Sequence, residues 1–233
     1  MAESGILLGT AITLGLIHTL IGVDHYVPFI ALSKANNWPV KKTVYIVLLC
    51  GIGHIVGSVV LGFLGIALSA GVTSLVNIED MRGILATYVL IGFGLIYTIY
   101  GIRSAIKNKP HTHLSQNGQT FMHSHTHDST DHAHNNTKKA RNVFWGLFIF
   151  FILGPCEPLI PLLMYPAATM DIFTLVLVTV SFAVCTIATM LFMTLLGLKG
   201  FQLLKTEKLE RYAHALAGSA ILVCGISVLL LPI

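Results

Sequence analysis

Apolar residues fall along this chain in six long blocks, at about 5–32, 43–70, 83–106, 143–165, 171–198 and 212–231. Each has roughly the 20 residues a helix needs to cross a bilayer. The pattern therefore predicts an all-α membrane protein with six transmembrane helices. Two blocks are interrupted. The first holds His18, Asp24, His25 and Pro28, and the fourth reads Gly154-Pro155-Cys156-Glu157-Pro158, with Pro161 and Pro166 beyond. Proline lacks the N–H that a helix interior uses, so Pro28 would free the carbonyl of Asp24, and Pro161 that of Glu157. Helices 1 and 4 are expected to be broken, and broken helices at membrane depth belong where they line a cavity. Gly22-Val23-Asp24-His25 faces Gly154-Pro155-Cys156-Glu157 when one block is laid on the other. With three spans in each half, the halves become two inverted three-helix repeats, whose interrupted helices meet at the substrate site in transporters. Residues 1–108 form the first half, 109–139 a polar loop and 140–233 the second half.

Composition agrees. The chain is 55% hydrophobic and 10% charged, with a mean hydropathy of +0.79, whereas soluble domains carry roughly 25% charged residues. Little is left for a soluble domain, and enzymatic catalysis has no support. The opening Met-Ala-Glu-Ser lacks the basic n-region of a cleaved signal peptide, so the first span is expected to be retained.

Charge gives an orientation. Lys34, Lys41 and Lys42 lie between spans one and two. Arg103, Lys107, Lys109, Lys138, Lys139 and Arg141 flank the loop between spans three and four, and Lys199, Lys205, Lys208 and Arg211 separate five from six. Thirteen of the fourteen Lys and Arg residues thus sit on alternate loops, with Arg82 alone on the other side. By the positive-inside rule both termini face out and the basic loops face the cytoplasm of an inner (plasma) membrane. The net charge of +4 belongs to these juxtamembrane anchors and not to a nucleic-acid surface. The lipid bilayer is the expected partner, and a homo-oligomer is left open. Cys50, Cys156, Cys185 and Cys224 all fall in apolar spans, so no disulfide framework is expected.

The chemistry lies in the ionisable groups. In an apolar span these are expensive and mark function by default. His18 and His25 are seven apart, one face of a helix, with Asp24 beside His25. His54 is the ionisable group of span two, among small residues (Gly51, Gly53, Gly57) that let helices approach closely. Glu79 and Asp80, in the segment 71–82, read as an outside turn, and span three reads as scaffold. The polar loop carries His111, His113, His123, His125, His127, His132 and His134, seven of eleven histidines. It is too polar to bury a core and is expected to be disordered, while its composition is a metal signal. His18, Asp24, His25, His54, Cys156 and Glu157 supply nitrogen, oxygen and sulfur, a mixture suited to nickel, cobalt or zinc and unlike the all-oxygen shells of calcium and magnesium. The cation is expected as transported substrate, with no permanently bound cofactor.

His18, Asp24-His25 and Gly53-His54, with a His-rich cytoplasmic loop, resemble the nickel/cobalt transporter group in its resistance-exporter branch. One more residue separates His18 from His25 than in the usual signature. Gly154-Pro155-Cys156-Glu157-Pro158 and the six-span length are similar to urease-accessory-like and sulfite-exporter-like membrane domains, which are similar in turn to membrane thiol–disulfide carriers. The expected function is transport of a divalent transition metal, nickel or cobalt before zinc, with efflux favoured because the loop would collect cytosolic metal and proton coupling because neutral imidazole is the ligand form. Three alternatives remain: metal uptake for metalloenzyme maturation, export of sulfite or an organosulfur anion, and thiol–disulfide electron transfer. Asp24 and Glu157 would repel an anion. A disulfide relay needs a second thiol where this chain has Asp24-His25.

Overall fold

A computed structural model describes residues 2–67, 72–107, 111–114, 120–123, 132–154, 156, 158–168, 172–202 and 211–230. Helix α1 (Ala2–Ile21) is followed by a single 3-10 turn (Val23–His25) and by α2 (Val27–Ala35). Then come α3 (Val40–Ala67), α4 (Val72–Lys107), strands β1 (His111–Leu114) and β2 (Thr120–His123), α5 (His132–Leu153), α6 (Leu159–Ala168), α7 (Ile172–Gln202) and α8 (Ala213–Leu230). This is a multi-pass membrane protein. Among the described residues five helices, α1, α3, α4, α7 and α8, are long and apolar enough to cross a bilayer. The fourth predicted span is divided instead between Val143–Leu153, the apolar part of α5, and α6. Among the described residues five long crossing helices are therefore seen where six spans were expected, the fourth being broken.

Both expected breaks are present. In the first, α1 stops at Ile21 and the Gly22 N–H still bonds the His18 carbonyl at 2.9 Å. The His25 N–H then bonds Gly22 O at 3.0 Å, closing the 3-10 turn. Pro28 lies in the first turn of α2, where a missing N–H costs nothing. It starts the helix that follows the expected break. His25 accordingly reaches His18 through the turn and not through a heptad on one helix face.

Helix α4 is longer than expected, because 72–82 forms its first turns and not an outside loop. Glu79, which with Asp80 suggested an outside turn, lies one helical turn before Arg82 and pairs with it, Arg82 Nη1 to Glu79 Oε1 at 2.7 Å. The helix crosses α8 through glycines spaced by seven on each partner, Gly94 and Gly101 against Gly218 and Gly225. A methyl at Gly94 would lie 2.6 Å from the Leu222 backbone nitrogen, and one at Gly225 would lie 2.8 Å from Ile91 Cγ1. With no hydrophobic drive between helices in lipid, this close backbone approach is what holds such a pair.

One core gathers Phe29, Leu32, Val47, Leu147, Phe151 and Met190, and a second gathers Ala11, Cys156, Leu159, Leu163 and Phe182. The histidines of the first break lie beside the former and Cys156 belongs to the latter. In the polar loop, expected to be disordered, β1 and β2 pair antiparallel with His111 opposite His123, and α5 begins at His132. His113 is on β1 and His134 on α5, while His125, His127 and Glu157 lie outside the described residues.

Candidate metal and thiol site between two helix breaks

Three elements bring the site together. His18 is in the last turn of α1, His54 is midway along α3, and Cys156 lies in the interruption between α5 and α6. One imidazole nitrogen from each histidine and the Cys156 sulfur all lie within 4.8 Å of one another. The His25 ring stands between the other two rings, its centroid 4.8 Å from that of His18 and 5.1 Å from that of His54, edge to face in both cases. His25, His54 and Cys156 are buried, and His18 is half-buried.

The hydrogen bonds decide which nitrogens are available. Nδ1 of His54 is 3.1 Å from the Phe151 carbonyl, so it carries the proton and donates. Nδ1 of His25 is 3.1 Å from Gly22 O and 3.2 Å from Asp24 Oδ1, again the donor. In each ring Nε2 is left as a lone pair. Nε2 of His18, His25 and His54 are all buried with no hydrogen-bond partner among the described residues. Buried polar atoms are almost always satisfied, so unpaired nitrogens on three neighbouring rings, two of them from residues that converge on the Cys156 sulfur, mark a place for a cation. Tying the far ring nitrogen to a carbonyl or carboxylate is also how metal-binding histidines are oriented.

Backbone geometry is fitted to this cluster. A methyl at Gly22 would sit 2.5 Å from His25 Nδ1 and 2.9 Å from His18 O, and one at Gly154 would sit 3.2 Å from His54 Nδ1. Below the rings Phe29 and Phe151 stack at 4.7 Å, an apolar floor. A cavity of about 650 Å³ reaches His18, Asp24 and His25 past Asp80, Thr87 and Ser227. His54 and Cys156 are not among its lining residues.

The structure thus brings together four of the six predicted span residues: His18, His25, His54 and Cys156. Asp24 is recruited differently, as the partner of His25 and not as a member of the ligand cluster. Glu157 is outside the described residues. Two groups escaped the sequence reading. Glu79 is fully buried, with Oε1 accepting from Arg82 Nη1 and its carboxylate beside the backbone N–H of Cys156. Its partner Arg82 donates through Nη2 to the Ile152 carbonyl at 2.8 Å. The signal available in the sequence was their spacing of three, the helical pairing distance.

A family profile described as the cytochrome c biogenesis protein transmembrane region matches residues 8–228. The chain belongs to that family. No significant match appears among curated proteins or among solved structures. Membership overturns the resemblance to the nickel/cobalt transporter group. That resemblance rested on a few histidine positions, whereas the match extends over nearly the whole chain. Of the readings drawn from the sequence, membership favours the thiol–disulfide alternative over nickel or cobalt efflux. It also makes Cys156 the residue to explain.

Proposed function

We propose that this chain is a membrane carrier in the thiol chemistry of cytochrome maturation, with Cys156 as its working group. The geometry best supports reversible capture of a soft transition-metal cation between the Cys156 thiolate and the imidazoles of His18 and His54. The observation that carries this is the convergence of His18 and His54 with the Cys156 sulfur within 4.8 Å, each histidine having a buried and unpaired Nε2. Zinc with such ligands has bonds of 2.0–2.3 Å, which puts ligand atoms roughly 3.5 Å apart. The present spacing of up to 4.8 Å closes to that with a movement of about 1 Å. A thiolate in the set favours zinc or cuprous copper over nickel and cobalt. Three ligands with His25 in reserve suit a carrier, since a closed four-ligand cage belongs to permanent structural sites. The fourth apolar stretch, broken between α5 and α6, serves as a sixth crossing in this account, with the termini outside.

Family membership supports a second reading, transfer of electrons by thiol–disulfide exchange. That chemistry requires the Cys156 thiolate to attack a partner's disulfide and then be released by another thiol. None of the four cysteines of this chain is in a disulfide, and the ligand atoms gathered around Cys156 are imidazole nitrogens. The exchange partner would have to come from another protein and reach a buried sulfur.

Cobalt titration of the purified chain separates the two. Cobalt bound by a thiolate gives an intense near-ultraviolet charge-transfer band, and this is expected for the wild type, absent in Cys156→Ser and weakened at least tenfold in affinity in His54→Gln. No band in the wild type, together with a mixed disulfide trapped on Cys156, would replace the cation reading with electron transfer.

A further inference from the structure

We infer that Glu79 and Arg82 are a positioning pair that fixes the backbone on both sides of the α5–α6 interruption and so sets the direction of Cys156. The inference rests on the reading of Cys156 as the site thiol. Neither residue touches substrate. Arg82 Nη2 donates to Ile152 O at 2.8 Å, a carbonyl in the last turn of α5. The closing carbonyls of a helix have no partner within it, and a cation there also meets the negative end of the helix dipole. Three residues past the helix end, the backbone N–H of Cys156 faces the Glu79 carboxylate. Irregular backbone at membrane depth has no water to satisfy it. Arg82 therefore satisfies one carbonyl before the interruption and Glu79 stands beside one amide after it, while Nη1 to Oε1 at 2.7 Å locks acid to base.

Two features set this apart from a general staple between helices. A charged pair inside a membrane protein is costly, and an apolar contact of similar volume would hold α4 against α5 as well or better. The atoms the pair holds are those that flank Cys156. Space has also been left for it. A methyl at Gly57 on α3 would lie 2.9 Å from Arg82 Nη2 and 2.9 Å from Ile152 O.

The test uses the full chain in detergent with Glu79→Gln and, as a second variant, Arg82→Gln. Peptide-resolved hydrogen exchange is followed over residues 152–158 and over α7. Cobalt affinity and the cobalt charge-transfer band are recorded beside thermal unfolding. Exchange over 152–158 should rise at least tenfold in both variants while α7 keeps its protection. Cobalt should bind roughly 10- to 100-fold more weakly, the usual loss when a group supporting a ligand is removed, and the band should shift. Gly57→Ala, which displaces the guanidinium, should reproduce the local effect. Unchanged exchange over 152–158 would overturn the inference, and so would an equal rise in every helix. Should the wild type bind no cobalt, the cation reading fails by itself. The exchange result then still decides whether the pair holds the Cys156 segment.

Discussion

His25 is held so that one nitrogen is engaged and the other is left over. The Asp24 carboxylate and the Gly22 carbonyl both accept from the Nδ1–H, so Asp24 orients the His25 ring. The sequence marked Asp24 as functional because a carboxylate in an apolar span needs a reason to be there. Its role depended on a turn that residue spacing does not reveal. His18, His25, His54 and Cys156 were legible for the same energetic reason. Glu79 and Arg82 were not, because charged residues near the end of an apolar block look the same whether they lie in a loop or in the first turns of a helix. Gly22→Ala should force the His25 ring aside, since the added methyl would meet Nδ1 at 2.5 Å. Overpacking of this kind costs about 1–3 kcal/mol, seen as a lower unfolding temperature, and cobalt binding should weaken with it. An unaltered affinity in a less stable protein would show that His25 takes no part in binding.

At the level of elements, proline and glycine in apolar blocks announced the two breaks, and both are there. The place of each proline was harder to read. Pro28 begins α2 after the turn has already ended α1, because a helix can stop at Gly22 and restart with proline in its first turn. The fourth block was read as one proline-broken span, and its helices α5 and α6 are separate. The α4–α8 contact could not be assigned from sequence, since small residues mark a close approach without naming the partner. Gly94→Leu should be among the most damaging single changes outside the site, because Leu222 backbone atoms lie 2.6–2.8 Å from where its Cβ would go. Monodisperse protein recovered from membranes is expected to fall severalfold. Full recovery would mean that α4 and α8 can separate without loss of the fold.

For the whole molecule, the membrane class was plain in the hydropathy, because a bilayer imposes its thickness on sequence more strongly than water does. The family was not. Short histidine motifs recur wherever imidazole is needed, and the set here pointed to nickel and cobalt transporters while the chain as a whole belongs elsewhere. The thiol was the more telling group. If a cation is captured by Cys156 with imidazoles, binding must release protons, because thiol and imidazole ligate only when deprotonated. Zinc affinity should therefore fall as pH falls, and Cys156→Ser should lessen the dependence by removing one of those protons; equal pH dependence in both proteins would exclude the thiol as a ligand. The most direct measurement is X-ray absorption at the zinc edge on the zinc-loaded, full-length chain. The account predicts one sulfur at about 2.3 Å with two or three nitrogens at about 2.0–2.1 Å, and loss of the sulfur in Cys156→Ser. A first shell of nitrogen and oxygen alone in the wild type would contradict it and leave Cys156 to redox chemistry.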